Sequence, residues 1–195
     1  MIVSLALLAC VDPGISEGPP ADDSVSTDDS AYDPDDAIRA IDPTLLPAGN
    51  APCQAPRLAR VVYVVDGDTA HVKPDGGGVE ETLRFIGLDA PELAHNGDPA
   101  ECYGVESSDF VNTLLAGELV WLTFDDTCYD RYDRTLAYLH LGTREEDFVN
   151  RTIVRSGYAW AYPFSDTPTF EAEFDADEAD ARQADRGMWG ACPGL

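Results

Sequence analysis

Five short stretches of closely spaced apolar residues predict a β-sheet in the part of the chain that follows residue 58. Each stretch is rich in β-branched or aromatic residues, and turn residues such as Asp66-Gly67-Asp68 separate the first strands. In the fourth stretch, Val120, Leu122 and Phe124 alternate onto one face, as in a strand with one buried side. The predicted strands are residues 59–65, 69–73, 81–88, 119–124 and 134–141.

Three further stretches repeat apolar residues at helical spacing, namely residues 103–116, 148–156 and about 168–187. In the first of them, Phe110 and Leu114 lie on one face, and Gly117 follows the predicted end of the helix. The order is three strands, a helix, two strands and two helices. This order predicts an α+β fold, a β-barrel plus helices, in the form of a five-stranded OB-fold with three helices.

The first ten residues have the composition of an export signal. Residues 1–9 (MIVSLALLA) are apolar and too few to span a bilayer, and Cys10 follows them. The run that ends in Cys10 resembles a bacterial lipobox, in which the signal is cut before the cysteine and its thiol receives a lipid. We therefore expect either a bacterial cell-envelope protein anchored to the membrane through Cys10 or a secreted protein.

Residues 11–52 are rich in Asp, Ser and Pro, and they predict an acidic, disordered tether with a short helical turn near Ala37–Ile41. The predicted domain boundaries are therefore residues 1–10 for the signal, 11–52 for the tether and 53–195 for the folded domain. The whole chain has 37 acidic and 12 basic side chains and a formal charge of −25. Such a charge excludes a general polyanion binder, so that any nucleic-acid function must rest on a local basic site.

Four cysteines remain after Cys10, and an even number in an exported chain predicts two disulfides with three possible pairings. Cys53 and Cys192 bracket the folded part, and a bond between them would tie its ends together. Cys102 and Cys128 would then form the second disulfide. The spacing of the four does not match the close cysteine pairs of a zinc ribbon.

Three segments carry the candidate chemistry: residues 64–69 (VVDGDT), 83–92 (LRFIGLDAPE) and 130–138 (DRYDRTLAY). They place carboxylates and guanidinium groups at strand ends and turns, where side chains from several strands can converge. The carboxylates offer oxygen ligands to a hard cation. The guanidinium groups match a phosphate in a bidentate way and can stabilise the extra charge of a pentacoordinate phosphorus. The candidate residues are Asp68, Asp89, Glu92, Arg84 and Arg134.

These segments, in this order, resemble the staphylococcal nuclease (thermonuclease) family. The resemblance rests on a DGDT turn, an R-x-x-G-[IL]-D-x-P-E segment and a D-x-Y-G-R-x-L-A-Y segment, and it extends over residues 57–190. It implies a staphylococcal-nuclease-like OB-fold and a calcium-dependent hydrolase that cuts the P–O5′ bond of DNA or RNA and leaves 3′-phosphates. The expected partner is the nucleic-acid substrate, and the expected state is a monomer.

The resemblance also implies roles for individual residues. Asp68 and Asp89 would be Ca²⁺ ligands, with the backbone carbonyl of Ala90 as a third ligand and Thr69 as a support of the metal shell. Catalysis would rest on three residues: Glu92 would hold the attacking water, and Arg84 and Arg134 would bind the scissile phosphate. Substrate contacts would come from Tyr132 and Tyr162.

Two positions depart from the family pattern. Ala90 replaces a threonine, which a backbone-oxygen ligand tolerates, and Asp133 stands where the family usually has glycine before the catalytic arginine. If position 133 has a positive φ, aspartate adopts it at some cost, and its charge could compete for Arg134. We expect these departures to affect turnover more than reaction type.

Two other functions fit parts of the pattern. The barrel could be a non-catalytic module that binds nucleic acid or protein, or a surface protein in which calcium serves structure alone. Non-catalytic relatives are expected to lose the carboxylates or the arginines, whereas this chain keeps all five. The nuclease interpretation is therefore favoured.

Overall fold

A computed structural model describes residues 33–162 and 169–195 of the chain. Its strands are β1 (Arg57–Val64), β2 (Thr69–Pro74), β3 (Glu81–Phe85), β4 (Gly87–Asp89), β5 (Leu119–Thr123), β6 (Thr135–His140) and β7 (Trp160–Tyr162). Its helices are α1 (Pro34–Arg39), α2 (Gly104–Leu115), α3 (Val149–Arg155), α4 (Glu171–Gln183) and α5 (Met188–Ala191), with single 3₁₀ turns at Pro43–Leu45 and Glu145–Asp147.

Five strands close into a barrel in the order β1-β2-β3-β6-β5. The pairs are antiparallel except β3 and β6, which run parallel. A parallel pair needs a long crossover connection, and here the intervening chain includes helix α2. The predicted OB-type barrel is thereby confirmed, and helices α2, α3 and α4 correspond to the three predicted helices.

The third predicted strand, residues 81–88, divides at Ile86. Up to Phe85 the chain belongs to the barrel, and beyond it β4 pairs with β7 in a separate two-stranded sheet that the sequence pattern did not reveal. The buried side chain of Asn150 in α3 fixes this departure, because its Nδ2 donates to the carbonyls of Ile86 and Ala137 at 2.9 and 3.2 Å. Since β4 carries Asp89, Asn150 indirectly sets the position of a candidate site residue.

The folded part begins earlier than the predicted boundary at residue 53. Residues 33–52, expected to belong to a disordered tether with a short helical turn near Ala37–Ile41, lie against the barrel through α1 and the chain that follows it. Trp121 Nε1 donates to the Ile38 carbonyl at 2.9 Å, and Thr123 Oγ1 donates to the Pro47 carbonyl at 2.6 Å. The prediction failed because a few buried contacts hold an otherwise polar segment, and composition alone does not reveal them. The predicted signal and Cys10 lie outside the described residues, as does the tether up to residue 32.

The disulfide pairing differs from the one favoured by the sequence. The structure joins Cys53 to Cys128 and Cys102 to Cys192, with Cα–Cα distances of 5.7 and 5.9 Å. Cys53 lies beside the end of β5 because its backbone N–H donates to the carbonyl of Asp125 at 2.7 Å. The first disulfide therefore ties the segment just before β1 to the chain between β5 and β6, and the second ties the segment after α5 to the chain just before α2.

Removal of the first disulfide is expected to destabilise the domain. The Cys53–Cys128 bond closes a loop of 75 residues, and a disulfide typically contributes about 2–4 kcal/mol to the free energy of unfolding. The double variant Cys53→Ala/Cys128→Ala should lose that amount in urea unfolding monitored by tryptophan fluorescence. An unchanged unfolding midpoint would show that this bond does not brace the fold.

The pairing itself can be read by peptide mapping without reductant. Trypsin leaves Cys102 and Cys128 on one peptide, residues 85–131, so a second protease that cuts after glutamate must separate them. We expect the peptide that contains Cys53 to be linked to the one that contains Cys128. A link from Cys53 to Cys192 would restore the pairing favoured by the sequence.

His140 is a buried histidine beneath the N-terminal segment, and it gives the fold a pH dependence. Its Nε2 lies 2.9 Å from Thr123 Oγ1, which itself donates to the Pro47 carbonyl, so Nε2 carries the proton. Nδ1 is buried without a hydrogen-bond partner in the described part of the chain. Burial lowers the pKa of His140 from 6.5 to about 4.

Acidification is expected to destabilise the fold through His140. Between pH 6.5 and about 4, His140 is protonated in the unfolded chain and neutral in the folded chain. The free energy of unfolding therefore decreases as the pH falls through this range. From about pH 7.5 to about pH 4.5 the loss should be about 2–3 kcal/mol. The His140→Gln variant should lack this loss. Asp68, whose pKa is raised, has the opposite effect on stability, but it is present in both proteins. Its contribution therefore cancels when the free energy of unfolding of the variant is subtracted from that of the wild type. Parallel unfolding curves at all pH values would contradict the assignment.

Candidate active site

The DGDT turn between β1 and β2 places a carboxylate inside the protein. Asp68 and Thr69 are both buried, and Thr69 Oγ1 donates to Asp68 Oδ1 at 2.8 Å. The backbone N–H of Ala90, which follows β4, donates to Asp68 Oδ2 at 3.0 Å. A Cβ at Gly67 would lie 2.5 Å from the Cβ of Ala90, so only glycine allows the turn to approach this close. The turn and the end of β4 are thereby held together.

Arg84 bridges two of the candidate carboxylates. It lies in β3 opposite Thr69, and its buried guanidinium places Nη1 2.6 Å from Asp68 Oδ2 and Nη2 2.6 Å from Asp89 Oδ1. The side chain of Asp68 is 8% exposed, whereas that of Asp89 is 45% exposed. Arg84 therefore connects the buried carboxylate of Asp68 with the more exposed carboxylate of Asp89, and of these two only Asp89 is accessible to solvent.

Negative charge exceeds positive charge at this site. Burial raises the pKa of Asp68 to about 6, and Arg84 only partly offsets the effect. The pKa of Asp89 is raised by burial and by the charge of Asp68, and that of Glu92 is raised by partial burial and by the neighbouring carboxylates, among them Glu101. One guanidinium thus faces several carboxylates, and a bound cation would relieve their repulsion.

The donor set fits a hard cation. Asp68 and Asp89 both touch one guanidinium, so their oxygens lie close together, and carboxylate oxygens are the ligands that Ca²⁺ prefers. Within residues 33–162 and 169–195, no three His, Cys, Asp or Glu side chains form a complete metal cluster. A cation held by the two carboxylates would therefore complete its shell with backbone oxygens, water or substrate. Thr69 orients Asp68 by hydrogen bonding.

Arg134 directly precedes β6, the strand that runs parallel to β3, and it lies two register positions from Arg84. Thr135 pairs with Leu83, so Arg134 comes just before the strand that neighbours Arg84. Its Nε donates to Asp130 Oδ2 at 2.6 Å, and its backbone N–H donates to Asp130 Oδ1 at 3.0 Å. Nη1 and Nη2 have no hydrogen-bond partner among the residues described. Asp130 thus holds the guanidinium at Nε, and Nη1 and Nη2 are the atoms that could bind a ligand.

Asp133 has the positive φ that its place in the motif predicts, with a value of 60°. Its carboxylate is not the partner of Arg134, because that ion pair is made with Asp130. Although burial alone would raise the pKa of Asp130, the hydrogen bonds from Arg134 hold it below its usual value. The expected competition from Asp133 is therefore replaced by a fixed contact with Asp130, which the sequence analysis did not assign to the site although it opens the same motif.

The two candidate tyrosines lie at the surface in different settings. Tyr132 is 64% exposed, and the guanidinium carbons of Arg131 and Arg134 lie 4.7 and 5.6 Å from its ring centroid. Tyr162 is 52% exposed and pairs with Gly87 in the small sheet, which places Trp160 opposite Asp89. Tyr132 thus stands directly at Arg134, whereas Tyr162 stands two positions along the strand from the site.

Comparison with known proteins agrees with this arrangement. The family model described as Staphylococcal nuclease homologue matches residues 82–191. A thermonuclease of Staphylococcus hyicus is 33% identical over 130 residues, 67% of this chain and 74% of that protein. An uncharacterized endonuclease of Escherichia coli O157:H7 is 34% identical over 130 residues, 67% of this chain and 75% of that protein. A micrococcal nuclease of Shigella flexneri is 27% identical over 159 residues, 78% and 85% of the two chains.

The closed barrel, the ordered motifs, and Arg84 and Arg134 with their aspartate partners are thus found in a chain that aligns with nucleases over most of its folded part. The family model matches more than half of this chain, and the chain therefore belongs to the staphylococcal nuclease homologue family.

Proposed function

We propose that the protein is a calcium-dependent nuclease that hydrolyses phosphodiester bonds in DNA or RNA and leaves 3′-phosphate ends. One observation carries the proposal: Arg84 joins Asp68 and Asp89 in a site with excess negative charge. Two register positions away on the neighbouring strand pair, Asp130 holds the Nε of a second guanidinium, that of Arg134. The arrangement offers a place for one cation and two hydrogen-bonding forks for one phosphate. The names of the relatives support the nuclease activity in this proposal.

The arginines would bind the scissile phosphate and stabilise the charge that grows on it. Arg134 is ready to do so, because Asp130 holds its Nε, while Nη1 and Nη2 have no hydrogen-bond partner in residues 33–162 and 169–195. Arg84 is committed to its two aspartates and would share its Nη atoms with a phosphate oxygen. Planar guanidinium groups suit this task because they contact two oxygens of one phosphate at once.

Glu92 would act on the attacking water. Its raised pKa makes its carboxylate a better proton acceptor than an ordinary glutamate. As the water oxygen bonds to phosphorus, a carboxylate oxygen of Glu92 takes the proton, the P–O5′ bond breaks, and the O5′ leaving group takes a proton from solvent.

When bound at Asp68 and Asp89, with the Ala90 carbonyl as a further ligand, calcium would polarise the phosphate. Tyr132 and Tyr162 would contact the nucleotide.

The proposal has a direct test with a matched control. The full chain, purified with its disulfides intact, is incubated at low salt with single-stranded DNA and either calcium or a chelator. We expect cleavage only with calcium, and a loss of at least about a hundredfold in Glu92→Gln. Glu106→Gln removes a charge from an exposed residue of α2 and should cleave normally. Absence of cleavage by folded protein would favour the non-catalytic binding module instead.

We further propose that the protein works outside the cytoplasm, attached to the bacterial envelope by a lipid on Cys10 or secreted. The two disulfides support an oxidising compartment. No helix in the described part of the chain is long and apolar enough to cross a membrane. A Cys10→Ser protein should be lost from the membrane fraction, and its continued sedimentation with membranes would refute the lipid anchor.

A further inference from the structure

Glu92 stands at one end of a closed surface loop, residues 92–101, which we call the Glu92 loop. The Glu101 N–H donates to the Glu92 carbonyl at 2.9 Å, and the Glu92 N–H donates to Glu101 Oε2 at 3.0 Å. Inside the loop, His95 and Asp98 exchange backbone hydrogen bonds of 3.2 and 2.8 Å. Residues 94–98 are all exposed, so burial contributes little to the placement of the loop. The contacts between its two ends therefore hold the loop closed at Glu92.

The Glu101 end of the loop is fixed to the rest of the domain. The next residue, Cys102, is bonded to Cys192 near the chain end. The N–H of Gly104, the first residue of α2, donates to the Glu101 carbonyl at 3.1 Å. A Cβ at Gly104 would lie 2.4 Å from the Glu92 carbonyl oxygen, so the start of α2 lies directly against Glu92. Glu101 is thus a fixed point from which a side chain can hold Glu92.

We propose that Glu101 is a positioning residue for the reaction: its carboxylate accepts the Glu92 backbone N–H and holds the Glu92 side chain at the attacking water. The inference rests on the proposed function, in which Glu92 acts on that water. The sequence shows no sign of this role, because nine positions separate the two residues and only the loop brings them together.

Two substitutions separate hydrogen bonding from charge. Glu101→Gln keeps an oxygen that can accept the Glu92 N–H and removes only the charge, whereas Glu101→Ala removes both. We expect kcat to fall at least about tenfold in Glu101→Ala, with KM for a short DNA strand nearly unchanged, because Glu92 does not bind the strand. Glu101→Gln should restore most of kcat. Glu106→Ala, an exposed glutamate of α2, serves as the control and should match the wild type.

Amide hydrogen exchange at Glu92 gives a readout that does not depend on cleavage. The wild type and Glu101→Gln should protect this amide, and Glu101→Ala should expose it. An equal loss of kcat in both Glu101 variants would overturn the inference, since charge and not the hydrogen bond would then matter. Unchanged kcat in Glu101→Ala, or a loss that only follows lower stability, would overturn it as well.

Failure of the proposed function would look different. If the wild type does not cleave nucleic acid although it is folded, the nuclease proposal fails while the exchange experiment still reads the contact between Glu101 and Glu92. Glu92 protection that is lost in Glu101→Ala would then show that Glu101 positions the loop without serving this reaction. That outcome also overturns the inference as stated.

Discussion

Replacement of Arg84 by lysine is expected to lower the rate of calcium-dependent cleavage at least about a hundredfold. The guanidinium reaches Asp68 with Nη1 and Asp89 with Nη2, both at 2.6 Å. One ammonium cannot make both contacts and also hold a phosphate oxygen. Steady-state cleavage of a short single-stranded DNA, measured at saturating calcium, gives the rate.

The lysine variant is preferred over alanine because Asp68 is buried. Removal of the positive charge would leave an uncompensated carboxylate inside the protein, which costs about 3–5 kcal/mol and could unfold the domain. Arg144→Lys is the matched control, since Arg144 is 70% exposed and its ion pairs with the described residues are made with the nearby Glu146 and Asp147. A rate near that of the wild type in Arg84→Lys, with an unchanged unfolding midpoint, would remove Arg84 from the phosphate site.

Replacement of Arg134 by lysine is expected to have an effect of similar size, at least about a hundredfold on the cleavage rate. Asp130 Oδ2 binds Nε and thereby aims the rest of the guanidinium at the ligand. Lysine has no equivalent of Nε beside an open fork, so it can pair with Asp130 or reach the phosphate but not do both. The cleavage rate and the unfolding midpoint are measured together.

The two arginine variants should differ in stability. The Arg134 side chain is 29% exposed and that of Arg84 is 7% exposed, so Arg134→Lys should unfold close to the wild type. A cleavage rate within a few-fold of the wild type in this variant would show that the open edge of Arg134 does not contact the scissile phosphate.

Much of the barrel and the site could be predicted because the relevant signals are local. Alternating apolar residues mark the strands, and Asp68, Arg84 and Arg134 lie inside short motifs at strand ends. The register of β3 with β2 and β6 then brings those motifs together. The ion pair between Asp130 and Arg134 could also be predicted, since the two residues are four positions apart in one motif.

Features that depend on distant contacts could not be predicted. The N-terminal segment is polar in composition, yet Trp121 and Thr123 bind its backbone carbonyls. The position of Cys53 beside β5 decides its pairing with Cys128, and nothing in the cysteine spacing shows it. In the sequence, nothing distinguishes Glu101 from other exposed acidic residues, because its contact with Glu92 forms only when the loop folds. Each case depends on which backbone groups meet in the folded chain.

Analysis of the ends of the cleavage products tests the central claim most directly. Single-stranded DNA is digested in calcium by the wild type and, in parallel, by the double variant Glu92→Gln/Arg84→Lys, which keeps the positive charge beside Asp68 and reveals any contaminating nuclease. Attack of water with loss of O5′ predicts 3′-phosphate and 5′-hydroxyl ends from the wild type, and no products from the variant or from the wild type with chelator. Products with 5′-phosphates, or equal cleavage by the double variant, would contradict the account.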